Sequence, residues 1–270
     1  MIPIANTLKY GLAFGMGLAF SYLLTPPVRA LARKLGMMDQ PDARRIHVRP
    51  TPRGGGLAVL VAFHLAMLVM VTLGWDQYAG QLRLAWWWVF LQATLVLAVI
   101  GFMDDRFGLP AVLKLAGQIY VASLMYLHGY GVESLFGLDF PEWANYAVTL
   151  LWYVLLTNAF NLIDGLDGLA TGLAMIASLG LAGTALMRGQ AGDAIPYLIL
   201  AGAGLGFLRY NFNPASVFLG DTGSLFLGFS LASMSVASAT KGTLLTTLAV
   251  PLLAMGVPLY DTLLAVWRRS

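Results

Sequence analysis

Cysteine is absent from this 270-residue chain. Its absence excludes disulfides, thiolate metal sites and cysteine nucleophiles. Charge is scarce too, with Asp, Glu, Lys and Arg together making 11% of the residues. The three histidines, His47, His64 and His128, lie far apart, and no close pair marks a metal site. Neither a Walker A loop, a Gly-x-Ser-x-Gly elbow nor a His-Glu-x-x-His helix is present. The first apolar run ends in Thr25-Pro26-Pro27 without a small-residue cleavage pattern. It therefore reads as a retained span rather than a signal peptide.

What the chain has in quantity is apolar surface. Hydrophobic residues make up 59%, and the mean hydropathy is +0.75. Successive runs of about 20 apolar residues are the signature of membrane-spanning helices. In lipid each segment must satisfy its own backbone polar groups, and the runs are continuous rather than alternating, so helices are expected and a barrel is not. Spans are predicted at roughly 5–28, 55–74, 84–103, 112–128, 146–163, 168–187, 194–209, 222–239 and 243–266. The expected fold is all-α: a polytopic membrane helix bundle of about nine spans, one integral-membrane domain over residues 1–270.

The basic residues orient this bundle. Twelve of the sixteen fall in connections on one face, and only Lys9, Arg83, Arg188 and Lys241 fall on the other. The first face is therefore expected to be cytoplasmic. The net charge of +3 and pI near 9.2 follow from that bias and do not call for a nucleic-acid partner. The same alternation places Asp104, Asp105, Asp164, Asp167 and Asp221 at the cytoplasmic face, an agreement independent of the hydropathy that defines the spans.

The densest polar stretch is Asn158-Ala-Phe-Asn161-Leu-Ile-Asp164-Gly-Leu-Asp167-Gly168. Its polar residues recur every third position. At about 100° per residue the outer two would point apart on an unbroken helix. All four converge only if the helix breaks, and Asp164-Gly165 and Asp167-Gly168 supply break points. The alternative is that Asp167 is an N-cap and the two Asn make interhelical hydrogen bonds. That alternative explains Asp164 poorly, because a carboxylate at a helix C-terminus is disfavoured.

Asp104-Asp105 ends the third span, again at an electronegative helix end, and needs a cation: Arg106, Lys114 or a metal. Asp221-Thr-Gly-Ser224 reads either as a metal ligand or as an N-cap pattern. Upstream of it, Asn211 and Phe218 lie in a connection where a base could stack and hydrogen-bond. Pro50-Thr-Pro-Arg53-Gly-Gly-Gly56 opens the second span. It is either a phosphate-binding loop using Arg53 and His47 or a topogenic basic loop with a Gly-rich helix start. Taken alone, the second is favoured. Carboxylates beside basic and amide groups at one membrane face suit a magnesium–phosphate site.

Four motifs carry a resemblance: Pro50-Thr-Pro-Arg-Gly-Gly-Gly56, Gly101-Phe-Met-Asp-Asp105, Asn158 to Gly168, and Val217-Phe-Leu-Gly-Asp-Thr-Gly-Ser224. In this order they resemble the polyprenyl-phosphate N-acetylhexosamine-1-phosphate transferases. That family starts enterobacterial common antigen, O-antigen and teichoic acid linkage units and includes phospho-MurNAc-pentapeptide translocase. The first motif looks like the GlcNAc-1-phosphate branch. The resemblance implies transfer of N-acetylhexosamine-1-phosphate from its UDP-sugar to undecaprenyl phosphate, with release of UMP.

It also implies Mg²⁺ as cofactor, with Mn²⁺ as an alternative ion. Asp221 is the implied principal metal ligand, with Asp164 and Asn161 near the pyrophosphate. Asp104 and Asp105 match the acidic pair assigned to the lipid phosphate, and Lys114 a basic, positively charged residue of the active site. Asn211, Phe218 and Asp167 match nucleoside positions. Asp104, Asp105, Asp164 and Asp167 are thus the expected catalytic carboxylates, with His47, Arg53, Lys114, Asn158, Asn161, Asn211 and Phe218 on the substrates. A homodimer stays open. The family continues beyond the ninth span with a His-bearing loop and a further helix, so a chain ending at Ser270 is expected to be truncated at its C-terminus. The rival from another class is a secondary transporter, whose carboxylates would sit near the midplane on broken, repeat-related helices.

Overall fold

A computed structural model describes residues 4–40, 50–74, 83–132, 134–135 and 138–238. Within them the chain forms eight helices: α1 (Ile4–Lys34), α2 (Gly56–Thr72), α3 (Leu84–Phe107), α4 (Ala111–Leu127), α5 (Glu142–Ile163), α6 (Leu169–Met187), α7 (Ala194–Asn211) and α8 (Gly220–Ala237). Two small antiparallel hairpins join them. The first pairs β1 (Met38–Asp39) with β2 (Thr51–Pro52), and the second pairs β3 (Ser134–Leu135) with β4 (Leu138–Asp139).

Four segments are long and apolar enough to cross a membrane: Leu8–Lys34, Leu84–Phe107, Glu142–Ile163 and Leu169–Met187. Eight helices lie where eight of the nine spans were predicted, and four of them meet the length and hydropathy of a full crossing among the described residues, so the count of about nine spans is not confirmed. α2 and α4 are apolar but only 17 residues long. α7 and α8 interrupt their apolar runs with glycine, serine and polar ends. The ninth predicted span lies outside the described residues.

α8 is the axis of the bundle. Every residue from Gly220 to Val236 is buried, and α2, α3, α5 and α6 pack on it. Between apolar helices in lipid, association rests on close packing and interhelical hydrogen bonds rather than on the hydrophobic effect. α8 supplies hydroxyls for this. Trp86 Nε1 of α3 donates to Ser233 at 2.9 Å, Trp152 Nε1 of α5 to Ser235 at 3.3 Å, and Asn161 Nδ2 of α5 to Ser224 at 2.9 Å. The Tyr197 hydroxyl of α7 pairs with Ser238, just past α8, at 2.7 Å.

On the outside, α1 lies along α7 and α2, and α4 spans α3 and α5. α1 and α7 meet backbone to backbone: a Cβ at Gly17, Gly202 or Gly206 would collide with a carbonyl of the facing helix. α4 turns Val112, Leu113, Tyr120 and Leu127 outward. Such a face would be a liability in water and is the expected one against lipid.

The predicted first span ends sooner than α1 does. Pro26 and Pro27 lie inside the helix, and the neighbouring turns are partly exposed, so water can satisfy the carbonyls that two missing N–H groups leave free. Arg33 and Lys34 occupy the last turn, where the helix dipole favours cations. The predicted break between the fifth and sixth spans is found. Asp164 is the C-cap of α5, and α6 starts at Leu169 after Gly168 at φ +74. That left-handed conformation suits glycine.

Candidate active site

The carboxylates meet at one end of the bundle, and α8 organises them. Asp221 lies in the first turn of α8. The Lys114 ammonium, in the first turn of α4, stands 2.8 Å from Asp221 Oδ2 and 3.3 Å from Asp104 Oδ1. The Leu109 amide also donates to Asp104 Oδ1, at 2.8 Å, which fixes this carboxylate at the close of α3. Lys114 is thus the cation that the sequence reading required for the end of the third span. Arg106, the other local candidate, turns away and rests 5.3 Å from the centre of the Phe107 ring.

Asp105 faces a different way from its neighbour. Its Oδ1 accepts the Asp221 amide at 2.9 Å. Its Oδ2 accepts the Thr222 amide at 3.1 Å and the Thr222 hydroxyl at 2.8 Å. Arg53 approaches with Nε 3.9 Å from Asp105 Oδ1 and Nη1 3.8 Å from Asp39 Oδ1. The β1–β2 hairpin therefore delivers Arg53 to the carboxylate cluster.

Asp164 Oδ2 accepts the Gly220 amide at 3.1 Å. Burial, together with the charges of Asp105 and Asp221, holds its carboxyl well above the usual carboxylate range. The Gly220 amide and the Arg53 charge offset this only in part, and an added cation nearby would favour the charged form. Among the described residues, no group of three or more His, Asp or Glu converges in metal-ligating geometry.

Other expected site residues are placed differently. Asn158 turns into the α4–α5 seam, where its amide and that of Gln118 hydrogen-bond reciprocally. Asn161 faces Ser224 and stands beside Asp221. Asp167 is not an N-cap: Gly168 occupies that position. Its Oδ2 accepts the Ala215 amide at 2.9 Å and Asn213 Nδ2 at 3.1 Å. Asn211 is buried, accepts the Thr171 hydroxyl at 3.2 Å and donates to Val217 O at 3.1 Å. Asp167 and Asn211 together brace the α7–α8 connection. That connection presents Phe218, half-buried, with its amide donating to Pro52 O at 2.8 Å and its carbonyl accepting from Gly55 at 2.9 Å.

The geometry bears on the alternatives at two helix starts. The Gly55 and Gly56 amides are spent on the Phe218 and Leu219 carbonyls, so this glycine run is a docking edge rather than an open phosphate cradle. Asp221 is not the N-cap of α8, since Leu219 holds that position and offers no side-chain bond. His47 lies outside the described residues. His64, buried, pairs with Thr94 at 2.9 Å and receives Trp87 Nε1 at 3.2 Å, a packing role, while His128 is exposed at the end of α4 and pairs with Leu124 O. Thr222 and Gln118 escaped the sequence reading. The only signals for them were adjacency to Asp221 and the four-residue spacing from Lys114.

Comparison with known proteins shows the family. Residues 87–239 match glycosyl transferase family 4. The chain belongs to that family. It is 36% identical over 263 residues to the probable undecaprenyl-phosphate N-acetylglucosaminyl 1-phosphate transferase of Bacillus subtilis (strain 168), covering 95% of this chain and 71% of the relative. It is 34% identical over 300 aligned positions to the decaprenyl-phosphate N-acetylglucosaminephosphotransferase of Mycobacterium tuberculosis (strain ATCC 25618 / H37Rv), covering 100% of this chain and 72% of the relative. A phospho-N-acetylmuramoyl-pentapeptide-transferase of Bacillus cereus (strain AH187) is 33% identical over 244 residues, covering 84% of this chain and 73% of the relative. The family is thus the one the four motifs resemble.

Proposed function

We propose that this family member transfers N-acetylglucosamine-1-phosphate from UDP-N-acetylglucosamine to undecaprenyl phosphate or a similar polyprenyl phosphate, releasing UMP. The observation that carries the reading is the Lys114 ammonium bridging Asp104 and Asp221, with Asp164 alongside, where four helix ends meet. The two relatives named for N-acetylglucosamine transfer align with more of this chain than the pentapeptide transferase does, which favours GlcNAc over the MurNAc-pentapeptide. The twelve-to-four split of basic residues supports a cytoplasmic site on a cell-membrane protein, at the first membrane step of an envelope polysaccharide.

A phosphate monoester has a second pKa of about 6, so the lipid phosphate arrives as a dianion and needs no general base. One of its oxygens attacks the β-phosphorus of the UDP-sugar. A P–O bond forms to the lipid phosphate, the bond to the bridging oxygen breaks, and UMP leaves with that electron pair. Phosphoryl transfer of this kind depends on positioning and charge neutralisation. Lys114 supplies positive charge to the transferring oxygens, Asp104 orients Lys114, and Arg53 sits at the rim for a second phosphate. Phe218 offers a face for uracil, on a connection braced by Asp167 and Asn211.

Asp221 and Asp164 are the residues that would hold Mg²⁺, or Mn²⁺ in its place. The donor set fits: Mg²⁺ takes one or two carboxylates and leaves its other positions to water and phosphate oxygens, and Arg53 offsets the buried Asp164 charge only in part. Bound there, the ion would neutralise the diphosphate.

The test is UMP release by the purified protein with undecaprenyl phosphate, UDP-N-acetylglucosamine and Mg²⁺. Lipid-dependent release that EDTA abolishes is expected. A folded protein that releases no UMP from any UDP-sugar would overturn the proposal. The transporter reading finds no support in these carboxylates, which sit at helix ends.

A further inference from the structure

The geometry points to Asp105 as a positioning residue that caps α8 from another helix and thereby aims Asp221, rather than as a group that touches the lipid phosphate. The first-turn amides of a helix have no intrahelical acceptor. α8 carries no side-chain cap of its own, because its N-cap is Leu219. Asp105 fills that gap from α3, with three donors on its two oxygens. A carboxylate at a helix N-terminus is also where the dipole favours negative charge.

The fit leaves no space for a substrate. The Asp105 side chain is 0% exposed, against 12% for Asp104. A Cβ at Gly220, where φ is +73, would lie 2.6 and 2.7 Å from the two Asp105 oxygens. A Cβ at Gly101, one turn before Asp105, would lie 2.5 Å from Thr222 Cα. α3 thus abuts the first turn of α8, and Asp105 closes that contact. The two adjacent acids divide the work: Asp104 faces Lys114 at the open side, and Asp105 faces the backbone that carries Asp221.

This inference rests on the proposed transferase reaction for its kinetic arm and stands apart from it in its exchange arm. In hydrogen exchange on the full chain in detergent, Asp105→Asn and Thr222→Val are expected to speed exchange at the first turn of α8, with the rest of α8 unchanged. In UMP release, Asp105→Asn is expected to lower kcat on the order of a hundredfold, the scale of about 1 Å of misplacement. KM for undecaprenyl phosphate should stay within about twofold, since a positioning group adds no ground-state binding. Thr222→Val should lower kcat in the same direction, and the double variant should cost less than the product of the two, because coupled groups are not additive.

A raised lipid KM in Asp105→Asn with unchanged first-turn exchange would overturn the inference and make Asp105 a lipid-phosphate contact. If Asp105→Asn fails to fold, unchanged exchange and kcat in Thr222→Val overturn it equally. A wild-type protein without UMP release would sink the transferase reading and leave the exchange result to decide this one.

Discussion

Lys114 and Asp221 are 107 residues apart in the chain and 2.8 Å apart in space. The pair ties the start of α4 to the start of α8, and Asp104 shares the same ammonium at 3.3 Å. Removing it would leave two carboxylates facing each other at the membrane edge without their cation. Lys114→Met is therefore expected to lower UMP release by about a hundredfold or more, the scale for losing one electrostatic stabiliser of a transferring group. Lys114→Arg should restore little, because a planar guanidinium cannot replace a compact ammonium between two acids. Steady-state assays of both variants check this, and near-normal turnover by Lys114→Met would remove Lys114 from the reaction.

Asp164 provides a pH-dependent signature. Its carboxyl is held above the usual range by burial and by the charges of Asp105 and Asp221. A carboxyl whose folded value is raised holds its proton better folded than unfolded, so its contribution is full at acid pH and is lost as pH rises through the raised value. In EDTA, the melting temperature should fall over that window. Asp164→Asn should melt higher than wild type at neutral pH and show a flatter profile, while losing turnover. Thermal melts in detergent from pH 4 to about 8 would check this. An Asp164→Asn protein that melts lower than wild type throughout would contradict it.

The eight helices were legible because apolar runs between basic connections are a strong pattern. The break at Asp164 to Gly168 was legible too, since three-residue spacing cannot converge on a continuous helix. The partners of the acids were not. Nothing local indicates that Asp105 reaches Asp221 and Thr222 across 116 and 117 residues, so an N-cap stayed open beside the metal-ligand reading of Asp221-Thr-Gly-Ser224. Arg106 was the nearest cation to Asp104-Asp105 in sequence, yet the helix turns it onto Phe107 and leaves Lys114 for the pair. The glycines of Arg53-Gly-Gly-Gly56 read as an anion loop or a plain helix start. Their role in docking against Phe218 and Leu219 depends on a surface 163 residues away.

That docking has a steric test. A Cβ at Gly56 would collide with Gly223, at the point where α2 meets α8. Overpacking of this kind costs about 1–3 kcal/mol, and here the displaced backbone carries Asp221. Gly56→Ala is expected to lower both the melting temperature and the turnover. Gly172→Ala, inside α6 where a Cβ would meet nothing within 4 Å, should leave turnover unchanged and keep or slightly raise the melting temperature. Equal behaviour of the two variants would show that α2 and α8 do not approach as closely as this.

Asn158 was expected to bind substrate, yet its amide is engaged with Gln118, which is 3% exposed, and also donates to Val154 O at 2.8 Å. A reciprocal amide pair between α4 and α5 fixes their register one turn from Lys114. Truncating one partner strands the other as a buried unsatisfied group, at about 1–3 kcal/mol, whereas replacing both with apolar residues can be nearly neutral. Gln118→Leu and Asn158→Leu should each destabilise the protein in detergent, and the double variant should recover stability relative to the sum. If the double variant also recovers turnover, Asn158 serves the seam. If it recovers stability while turnover stays lost, Asn158 reaches the substrate in the working enzyme, and its engagement with Gln118 is an interaction that substrate binding exchanges for its own.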